Sequence, residues 1–467
     1  MHLNEKSPKP LYFQIYEHIK QDIEDGTYPQ GAKLPSIRSM AENLQCSRNT
    51  VEGAYSHLSQ EGFIAGKPGS GYIVQGLEFI ESSIPSHTEV FLGDPAQKLR
   101  YDFTYGDLEV GTFPALQWRA LTDEVLMSIE SSKANVYPDA FGELDLRQEI
   151  AWRLTTQRDI ICMPDQVVIQ GGTQSSVQNL LNLFDSTTDS VAMEEPGYDG
   201  VRSVFKRSGF RVYPCRIGQY VGDNSSSATF IRDLATYKPK LIYVTPSSQF
   251  PTCTVMPQQT RQELIEWANT NDAYILEDDY CRDFRYKERP IAPLISLDTK
   301  GRVIYMGTFS KSLSPALRMN YLVLPHALMK RWKEVFSGAY SVVPWLSQAV
   351  LARFMKDGSW ERHVRRVQVK NRRKYQTLIT ALENYGAGRI TTLENGTGLH
   401  LLVVVNDGRS EEELIEAAAH HNVAVYGTKK YWHCQESADP GCVLIGFSAI
   451  AEQDIEPGIA ALMDAWF

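Results

Sequence analysis

Residues 307–325 read "GTFSKSLSPALRMNYLVLP" and place a lysine, Lys311, between two serines shortly after the apolar run "RVIYM". Arg318 follows seven positions later, just before a second apolar run, "MNYLVLP". Short apolar runs bounded by turn residues are consistent with buried strands. A lysine at a strand end is usually a solvated side chain. The residues found at the other strand ends therefore decide whether Lys311 has a chemical role.

The same pattern recurs from about residue 101 onward. The strand-length apolar runs "DQVVIQGG", "SVAMEEPGY", "LIYVTPS" and "AYILEDDY" are separated by longer helical segments. This alternation predicts an α/β fold, in which helices cover both faces of a mostly parallel sheet. In such sheets the functional residues lie where the strands end.

The predicted strand ends carry a complementary set of chemical groups. In "QGGTQ", the backbone N–H groups of Gly172 and Thr173 would lie at a helix N-terminus, which suits a phosphate. "EEPGY" supplies an aromatic ring, Tyr198, and "EDDY" supplies the carboxylate of Asp278 and the phenol of Tyr280. Together with the lysine amine, these are the groups that pyridoxal phosphate (PLP) needs. The glycine pattern is neither GxGxxG nor GxxxxGKS, so nucleotide binding has little support.

The first 75 residues have a different organisation. Residues 11–25 carry apolar side chains at four-residue spacing, which predicts an amphipathic helix. "SIRSMAENLQ" predicts a second helix with Ser36 as its N-cap, and "CSRNTVEGAYSHLSQEG" predicts a third with Ser47 as its N-cap. "FIAGKPGSGYIVQG" then predicts two short strands around a Gly-rich turn. Three helices and a hairpin indicate a winged helix-turn-helix.

Two known families are similar to these two parts. The stretch "KLPSIRSMAENLQCSRNTVEGAYSHLSQEGFI" and its wing resemble the GntR family of bacterial DNA-binding heads, over roughly residues 8–75. Residues 101–467 resemble the fold-type I aminotransferases. The whole chain therefore resembles the MocR/GabR family of PLP-binding transcription regulators. We expect a winged helix-turn-helix domain at 1–75, an acidic linker at 76–100 and an aminotransferase-like effector domain at 101–467.

The GntR-like resemblance implies which residues face double-stranded operator DNA. An arginine on the first turn of the third helix can fork onto a guanine in the major groove. Residues 1–75 contain seven Lys/Arg and eight Asp/Glu, so the head is not basic overall, and a purely structural helical head is the alternative. The implied DNA-binding residues are Arg48, Asn49 and Thr50 for the groove, Arg38 and Lys33 for phosphates, and Lys67 with Gly69 for the wing.

The aminotransferase resemblance assigns roles around PLP. It implies that Lys311 forms the internal aldimine, Asp278 pairs with the pyridine nitrogen, Tyr280 donates to the phenolic oxygen and Tyr198 stacks on the ring. Arg318, Thr308, Gly172 and Thr173 would hold the phosphate. Tyr137 matches a tyrosine that reaches the phosphate of the neighbouring subunit, which implies a homodimer; a core or surface tyrosine is the alternative. Asp279 fits a strand-end hydrogen-bonding group better than a cofactor contact, and His400 fits a packed strand histidine better than an acid or base.

The chain departs from the family's pattern at three positions. Ser248 replaces a histidine, Cys253 replaces a turn glycine, and Leu444 stands where aminotransferases grip the substrate carboxylate with an arginine. The third departure weakens an enzymatic interpretation, because transamination needs that grip to orient the substrate. Lys429 and Lys430, a short distance upstream, are candidates to replace the arginine. The effector is expected to be either PLP itself or an amino compound that acts on bound PLP.

We therefore expect a transcription regulator that senses a small molecule. The alternative is a PLP-dependent aminotransferase with a structural N-terminal appendage, and slow turnover by a regulator is a third possibility. Net charge is −9, and the seven cysteines show no CxxC pair, which argues against zinc and disulfides and fits a reducing cytoplasm. No long apolar run predicts a membrane span, and no metal site is expected.

Overall fold

The structure is a computed structural model that describes residues 9–67, 71–75, 99–217, 226–287, 291–393 and 396–467. The chain divides into two compact units, residues 1–97 and residues 98–467, which we call the head and the body. Of the predicted linker at 76–100, residues 76–98 lie outside the described residues. No helix among the described residues is both long enough and apolar enough to cross a membrane.

The head contains the elements that its sequence predicts. Its helices are α1 (Leu11–Glu24), α2 (Ile37–Leu44) and α3 (Arg48–Gln60), and its strands β1 (Ile64–Lys67) and β2 (Gly71–Val74) pair antiparallel. The hydroxyl of Ser36 accepts from the N–H of Ser39 at the start of α2. The hydroxyl of Ser47 accepts from the N–H of Thr50 at the start of α3. Both predicted N-caps are thus confirmed, and each satisfies an N–H group that has no acceptor within its own helix.

The head is held together by the apolar stripes of α1 and α3. The α3 stripe consists of Val51, Ala54, Tyr55 and Leu58, all fully buried as predicted. It packs against Ile15, Ile19 and Ile23 of α1. Burial of one such aliphatic side chain contributes roughly 1.5–3 kcal/mol to the stability of the folded head. The two stripes together therefore hold α3 against α1.

The body alternates strands and helices along most of its length. Its strands are β3 (Tyr101–Asp102), β4 (Val167–Gln170), β5 (Ser190–Glu195), β6 (Arg211–Arg216), β7 (Leu241–Val244), β8 (Tyr274–Asp278), β9 (Val303–Thr308), β10 (Asn320–Val323), β11 (Ile390–Leu393), β12 (His400–Val405), β13 (Val423–Ala424), β14 (Tyr426–Gly427) and β15 (Cys442–Gly446). Its α-helices are α4 (Ala115–Met127), α5 (Leu144–Arg158), α6 (Thr173–Leu181), α7 (Asp199–Arg207), α8 (Ser226–Tyr237), α9 (Gln258–Thr270), α10 (Leu294–Leu297), α11 (His326–Val335), α12 (Trp345–Lys356), α13 (Ser359–Gly386), α14 (Glu411–His420) and α15 (Glu452–Trp466).

A seven-stranded sheet forms the centre of the body, in the order β4-β10-β9-β8-β7-β5-β6. Every neighbouring pair is parallel except the two pairs made by β10, which runs antiparallel to β4 and β9. Buried apolar clusters lie on both faces. The predicted mostly parallel sheet is confirmed. Because β10 is reversed, its first residue lies at the edge where the parallel strands end.

A second, smaller layer completes the body. Strands β11, β12, β15 and β14 form an antiparallel sheet, and β3 pairs with β13. Helices α13 and α15 share an apolar core with this sheet. The residues just after β3 run beside it, since the N–H of Gly446 donates to Phe103 and the N–H of Glu109 donates to Ser448. This places residues 103–109 between the small sheet and the ends of the central strands.

Candidate functional site

A cavity of about 370 Å³ lies where the central strands end. It brings together seven of the residues predicted from the sequence. Its lining consists of Tyr105, Gly106, Asp107, Thr173, Gln174, Tyr198, Tyr243, Thr245, Phe250, Asp278, Tyr280, Thr308, Ser310, Lys311, Pro315 and Arg318.

Lys311 projects into this cavity from the loop after β9. Its Nζ donates to the carbonyl oxygen of Gly106 at 3.3 Å and lies 4.3 Å from the ring centroid of Tyr105. Burial lowers the pKa of Lys311, while the negative charges of Asp107 and Asp278 act in the opposite direction. A lowered pKa makes the neutral, nucleophilic amine more accessible near neutral pH.

Asp278, the last residue of β8, places a carboxylate deep in the cavity. It is only 4% exposed, and its Oδ2 accepts from the hydroxyl of Tyr243 at 2.7 Å. Its Oδ1 is buried and has no hydrogen-bond partner in the described part of the chain. Burial raises the pKa of Asp278 to about 7. A buried acceptor without a donor is costly, so this geometry suits a ligand that brings an N–H group to Oδ1.

The middle of the cavity is flat and aromatic. Tyr198 is the residue before α7, and its ring meets Phe250 edge-on with centroids 5.8 Å apart. The hydroxyl oxygen of Tyr280 is buried close to the Ser248 side chain and makes no hydrogen bond of normal geometry with a described residue. The two tyrosines can therefore cover a planar ring and donate one hydrogen bond to it.

The far end of the cavity suits an anion. Helix α6 begins at Thr173, and N–H groups in the first turn of a helix have no acceptor within it. Arg318 lies beside this turn: a Cβ at Gly172 would lie 2.3 Å from its Nη2. Thr308 also lines the cavity, with its hydroxyl accepting from the N–H of Ser310. A guanidinium next to a helix N-terminus is well suited to a phosphate.

The expectation for the N–H of Gly172 is wrong. This N–H donates to Oδ1 of Asn320, the first residue of β10, at 2.9 Å, so it is not free to bind phosphate. Gly172 contributes differently. It adopts a φ of +105°, and its lack of a side chain leaves room for the Arg318 guanidinium.

Tyr137 lies outside the cavity of its own chain. It is 76% exposed, and its ring stacks on that of Tyr340 with centroids 4.4 Å apart. Tyr137 is therefore available to a second molecule, and its assignment to a neighbouring subunit's site stays a prediction.

The two lysines proposed to replace the missing arginine do not reach the cavity, and that expectation is wrong. Nζ of Lys429 forms an ion pair with Glu412 at 2.7 Å. Lys430 is exposed, with its Nζ 5.1 Å from the ring centroid of Tyr431. Arg202 anchors the segment by donating to the backbone carbonyls of Lys430 and Tyr431.

The positions that depart from the family's pattern are buried. Leu444 is fully buried in β15, between Leu402 of β12 and Tyr426 of β14. Cys253 is also buried, and its Sγ lies 3.4 Å from Nε2 of His400.

His400 and Asp279 have structural partners. Nε2 of His400 lies 2.7 Å from the carbonyl oxygen of Pro251, and burial lowers the pKa of His400 to about 4, which fits a packed strand histidine. Oδ2 of Asp279 accepts from the hydroxyl of Tyr305 at 2.7 Å, and Asp279 does not line the cavity. Asp279 is therefore a strand-end hydrogen-bonding group, as its sequence position suggested.

Sequence reasoning missed several residues of the cavity. Tyr243 lies inside the apolar run "LIYV" and looked like a core residue, yet its hydroxyl bonds to Asp278. Tyr105, Gly106 and Asp107 follow the short strand β3, far from the other site residues in the sequence. The available signal was the glycine in "FTYGD", which adopts a φ of +112° next to Lys311.

In the head, α3 exposes the start of its first turn. Arg48 and Asn49 are exposed, whereas Thr50 is partly buried and its hydroxyl bonds to that of Ser47 at 2.8 Å. Lys33 is exposed. Arg38 is also exposed and forms an ion pair with Glu42 at 3.0 Å, an exposed contact worth only about 0.3–0.5 kcal/mol. The Lys67 backbone ends β1; its side chain and Gly69 lie outside the described residues.

Comparison with known proteins agrees with both halves. Residues 102–462 match the family model "Aminotransferase class I and II", and residues 11–74 match "Bacterial regulatory proteins, gntR family". The chain is 34% identical to the "Uncharacterized HTH-type transcriptional regulator YdeL" of Bacillus subtilis, over 99% of this chain and 98% of YdeL. It is 30% identical to the "Probable rhizopine catabolism regulatory protein MocR" of Rhizobium meliloti, over 99% of this chain and 95% of that protein.

Solved structures share the fold of the body. LysN, an α-aminoadipate aminotransferase from Thermus thermophilus, superposes with a TM-score of 0.70 at 22% identity, over 79% of this chain and 92% of LysN. The kynurenine aminotransferase of Pyrococcus horikoshii superposes with a TM-score of 0.71 at 22% identity, over 79% and 91%. These likenesses confirm the predicted aminotransferase fold.

The class of protein follows from these matches: a gntR-type helix-turn-helix head is joined to an aminotransferase class I and II body. The chain belongs to the MocR-type family of HTH-type transcriptional regulators. This confirms the family and the regulatory function expected from the sequence.

Proposed function

We propose that this regulator binds double-stranded DNA through its head and PLP through Lys311 in its body, and that it senses PLP or an amino compound that reacts with it. The observation that carries the proposal is that one cavity holds both the partly buried Lys311 amine and Oδ1 of Asp278, a buried oxygen with no hydrogen-bond partner among the described residues. Buried polar groups are normally hydrogen-bonded. A buried carboxylate oxygen without a partner among the described residues, in the same cavity as a nucleophilic amine, therefore suits a ligand with a ring N–H and an electrophilic carbon.

Different residues of the chain would bind different parts of the cofactor. Lys311 provides the covalent link, and Oδ1 of Asp278 accepts from the ring nitrogen. Tyr280 donates to the phenolic oxygen, and Tyr198 covers the ring. The phosphate is held by the N-terminus of α6 at Thr173, together with Arg318 and Thr308. When bound, PLP supplies an electrophilic carbon that condenses with primary amines.

Relatives support the choice of cofactor. The structure of LysN is described as complexed with N-(5'-phosphopyridoxyl)-L-leucine. A relative from Corynebacterium glutamicum, 26% identical over 99% of this chain, is named the "HTH-type pyridoxine biosynthesis transcriptional regulator PdxR".

The head is proposed to read DNA with the exposed first turn of α3. Arg48 and Asn49 reach base edges, and Thr50 contributes mainly by fixing the start of the helix, since its hydroxyl is bonded to Ser47. Lys33 and Arg38 contact phosphates, and Lys67 and Gly69 retain their sequence-based assignment to the wing. The division into residues 1–75, 76–100 and 101–467 is part of this proposal, as is action in the cytoplasm, where the DNA is.

A homodimer is the proposed assembly. Tyr137 lies among other exposed apolar side chains, including Val136, Tyr340 and Val342. Contiguous exposed apolar surface commonly marks an interface between proteins. In the dimer, Tyr137 of one subunit would reach the phosphate bound by the other.

Transaminase turnover is the second candidate function. The intact set of Lys311, Asp278 and Tyr280 favours it, because these groups support the chemistry of the fold's enzymes. The buried Leu444 opposes it, because a substrate carboxylate would have no guanidinium there. We therefore assign sensing as the main function and allow slow turnover of the effector.

Reduction with borohydride tests the proposal. The purified protein should be yellow, and reduction followed by peptide mass spectrometry should place the phosphopyridoxyl group on Lys311. Lys311→Ala should lose the covalent link, and Lys330→Ala, which replaces an exposed lysine of α11, should retain it. A colourless protein that takes up no added PLP would contradict the proposed cofactor.

A further inference from the structure

We propose that the cavity selects primary amines that lack a carboxylate, and that Asp107 binds a second ammonium or hydroxyl group of the amine. This inference rests on the proposed function, because it concerns the effector that would react with bound PLP.

The charges around the cavity lead to this conclusion. Four charged side chains line it: Lys311, Arg318, Asp278 and Asp107. PLP would engage three of them. Its reactive carbon would bind the Lys311 amine, its phosphate would bind the Arg318 guanidinium, and its ring nitrogen would donate to the Asp278 carboxylate. The lining then retains one charge, the negative charge of Asp107. Within this lining no cation is left for the carboxylate of an amino acid.

One wall of the cavity is backed by an apolar cluster that contains Leu444, which does not itself line the cavity. Leu444 belongs to a buried cluster with Phe250 and Leu402, and the rings of Tyr198 and Tyr280 pack against this cluster. A carboxylate placed against this cluster would lose its hydration without gaining a partner, which strongly disfavours its binding. The wall therefore disfavours an amino acid in the orientation that an aminotransferase would use.

Nearby cations are held elsewhere. Lys429 is paired with Glu412, and Arg202 donates to two backbone carbonyls. Lys430 is exposed outside the cavity. None of the three lines the cavity, so none replaces the missing arginine from within it.

Asp107 is placed to recognise a cation. Its backbone is fixed by the Ser448 hydroxyl, which donates to the Asp107 carbonyl oxygen at 2.7 Å. Its carboxylate is exposed and makes no hydrogen bond or ion pair with the residues that the structure describes. Its charge also acts on the Lys311 amine. A free carboxylate close to the reacting nitrogen attracts a second ammonium group and repels a carboxylate.

The reaction needs no additional reagent. The nitrogen of the incoming ammonium group would replace the Lys311 nitrogen on the reactive carbon of bound PLP, so that one C=N bond forms as another breaks. The incoming nitrogen would lose two protons, and the Lys311 nitrogen would gain two and leave as an ammonium group. Bonds and protons balance, and nothing is oxidised or reduced.

Matched pairs of ligands on the PLP-loaded protein test the inference. We would titrate 1,4-diaminobutane against L-ornithine, its carboxylated counterpart, and ethanolamine against L-serine. Binding would be followed by the absorbance of bound PLP and by operator affinity. We expect the amines to bind at least about tenfold more tightly than the amino acids, because an unpaired buried charge is strongly disfavoured.

Two substitutions and one control variant test the roles of Asp107 and Leu444 separately. Asp107→Asn should weaken binding of 1,4-diaminobutane about fivefold or more relative to n-butylamine, which has no second ammonium group. Asp123→Asn removes an exposed carboxylate of α4 outside the cavity and should leave that ratio unchanged. Leu444→Arg should shift the preference toward L-ornithine. If Leu444→Arg fails to fold, the ligand pairs still test the selectivity of the cavity, and the Asp107→Asn comparison still tests the role of Asp107.

The outcomes distinguish the two proposals. A protein that takes up no PLP overturns the proposed function and this inference with it. A yellow protein that binds L-ornithine as tightly as 1,4-diaminobutane overturns only the selectivity. If the affinities for 1,4-diaminobutane and n-butylamine stand in the same ratio in Asp107→Asn as in the wild type, the role of Asp107 is overturned.

Discussion

Lys311 and Asp278 are the two ionisable side chains on which the chemistry of the cavity depends. Burial shifts both toward their neutral forms, since it lowers the pKa of the amine and raises that of the carboxyl to about 7. A neutral amine can attack a carbonyl carbon. A bound ring N–H would in turn give the Asp278 carboxylate the partner that favours its ionised form. Oδ1 of Asp278, which has no hydrogen-bond partner among the residues that the structure describes, is therefore the feature that most directly suits PLP.

The first prediction compares how much PLP affinity is lost in two variants, Asp278→Asn and Tyr243→Phe. Asp278→Asn removes the charged acceptor for the ring nitrogen and should weaken PLP binding by about 1.5–3 kcal/mol, the value of a hydrogen bond to a charged group. Tyr243→Phe removes only the donor to Oδ2 and should cost less, about 0.5–1.5 kcal/mol. Absorbance titration of the cofactor-free protein gives both values. An equal or larger loss in Tyr243→Phe would contradict the assignment of Oδ1.

The second prediction concerns acid stability. Burial lowers the pKa of His400 to about 4, so between about pH 6.5 and pH 4 the unfolded chain binds a proton that the folded chain does not. His400 therefore favours unfolding increasingly as the pH falls through that window. From pH 7 to pH 5 this effect amounts to about 2 kcal/mol.

Urea denaturation of the wild type and of His400→Gln at both pH values measures the effect. The variant lacks the titration, so the stability advantage of the wild type should shrink by that amount at pH 5. A difference that does not depend on pH would show that His400 is protonated in the folded protein.

At the scale of elements, the reversed strand β10 shapes the anion end of the cavity. Its first residue, Asn320, holds the N–H of Gly172, and Arg318 lies two positions earlier in a left-handed conformation with a φ of 47°. If β10 ran parallel to its neighbours, the start of the strand and the loop before it would lie at the opposite edge of the sheet. The antiparallel pairing thus delivers the guanidinium to the start of α6.

The third prediction tests this arrangement with Gly172→Ala. The new Cβ would lie 2.3 Å from Nη2 of Arg318, so the guanidinium must move away from the phosphate position. PLP affinity should fall at least about tenfold, whereas the affinity for pyridoxal, which has no phosphate, should change little.

Gly209→Ala provides the matched control for Gly172→Ala. It introduces alanine at a φ of +82° but brings its Cβ no closer than 3.6 Å to a neighbouring atom. It therefore reproduces the backbone strain without disturbing Arg318. An equal loss of PLP affinity in both variants would assign the effect to strain.

The fourth prediction concerns α3. Arg48 is exposed at its first turn, so Arg48→Ala should cost roughly 1–3 kcal/mol of specific operator binding if the guanidinium forks onto a guanine. Lys33→Ala, which removes a proposed phosphate contact, should weaken binding to all sequences alike and lower the salt slope by about 1. Unchanged operator affinity in Arg48→Ala would rule out this turn as the DNA-reading surface.

At the scale of the whole molecule, each cofactor site is proposed to draw on two subunits. Tyr137 is exposed and lies outside the cavity of its own chain. The fifth prediction follows from this division. Tyr137→Ala and Lys311→Ala homodimers should each bind PLP poorly or without the covalent link.

A dimer of one Tyr137→Ala subunit and one Lys311→Ala subunit should regain a single normal site. That site combines Lys311 from the first subunit with Tyr137 from the second. Coexpression with two affinity tags, followed by borohydride reduction and mass spectrometry, measures the recovered site. If the mixed dimer forms no more covalent adduct than the Tyr137→Ala homodimer, Tyr137 acts within its own chain or has no role.

The sequence by itself determined the family, the helices of the head, the main strands and most of the cavity. These features depend on local signals: apolar periodicity, N-cap serines and polar groups that directly follow apolar runs. Six predicted strands, corresponding to β4, β5, β7, β8, β9 and β10, are present. Seven predicted site residues meet in one cavity, because parallel strands end at a common edge.

Only the tertiary structure decided the remaining features. Strand β6 carries a proline and mixed exposure, so its pairing with β5 has little local signature. The segment of Asp107 approaches Lys311 only because β3 joins a distant part of the chain, and Tyr243 reaches Asp278 from a neighbouring strand. The N–H of Gly172 donates to Asn320, which lies 148 positions away in the chain. The ammonium group of Lys429 forms an ion pair with Glu412. Each is a contact between residues far apart in the chain, and such contacts form only when packing brings their elements together.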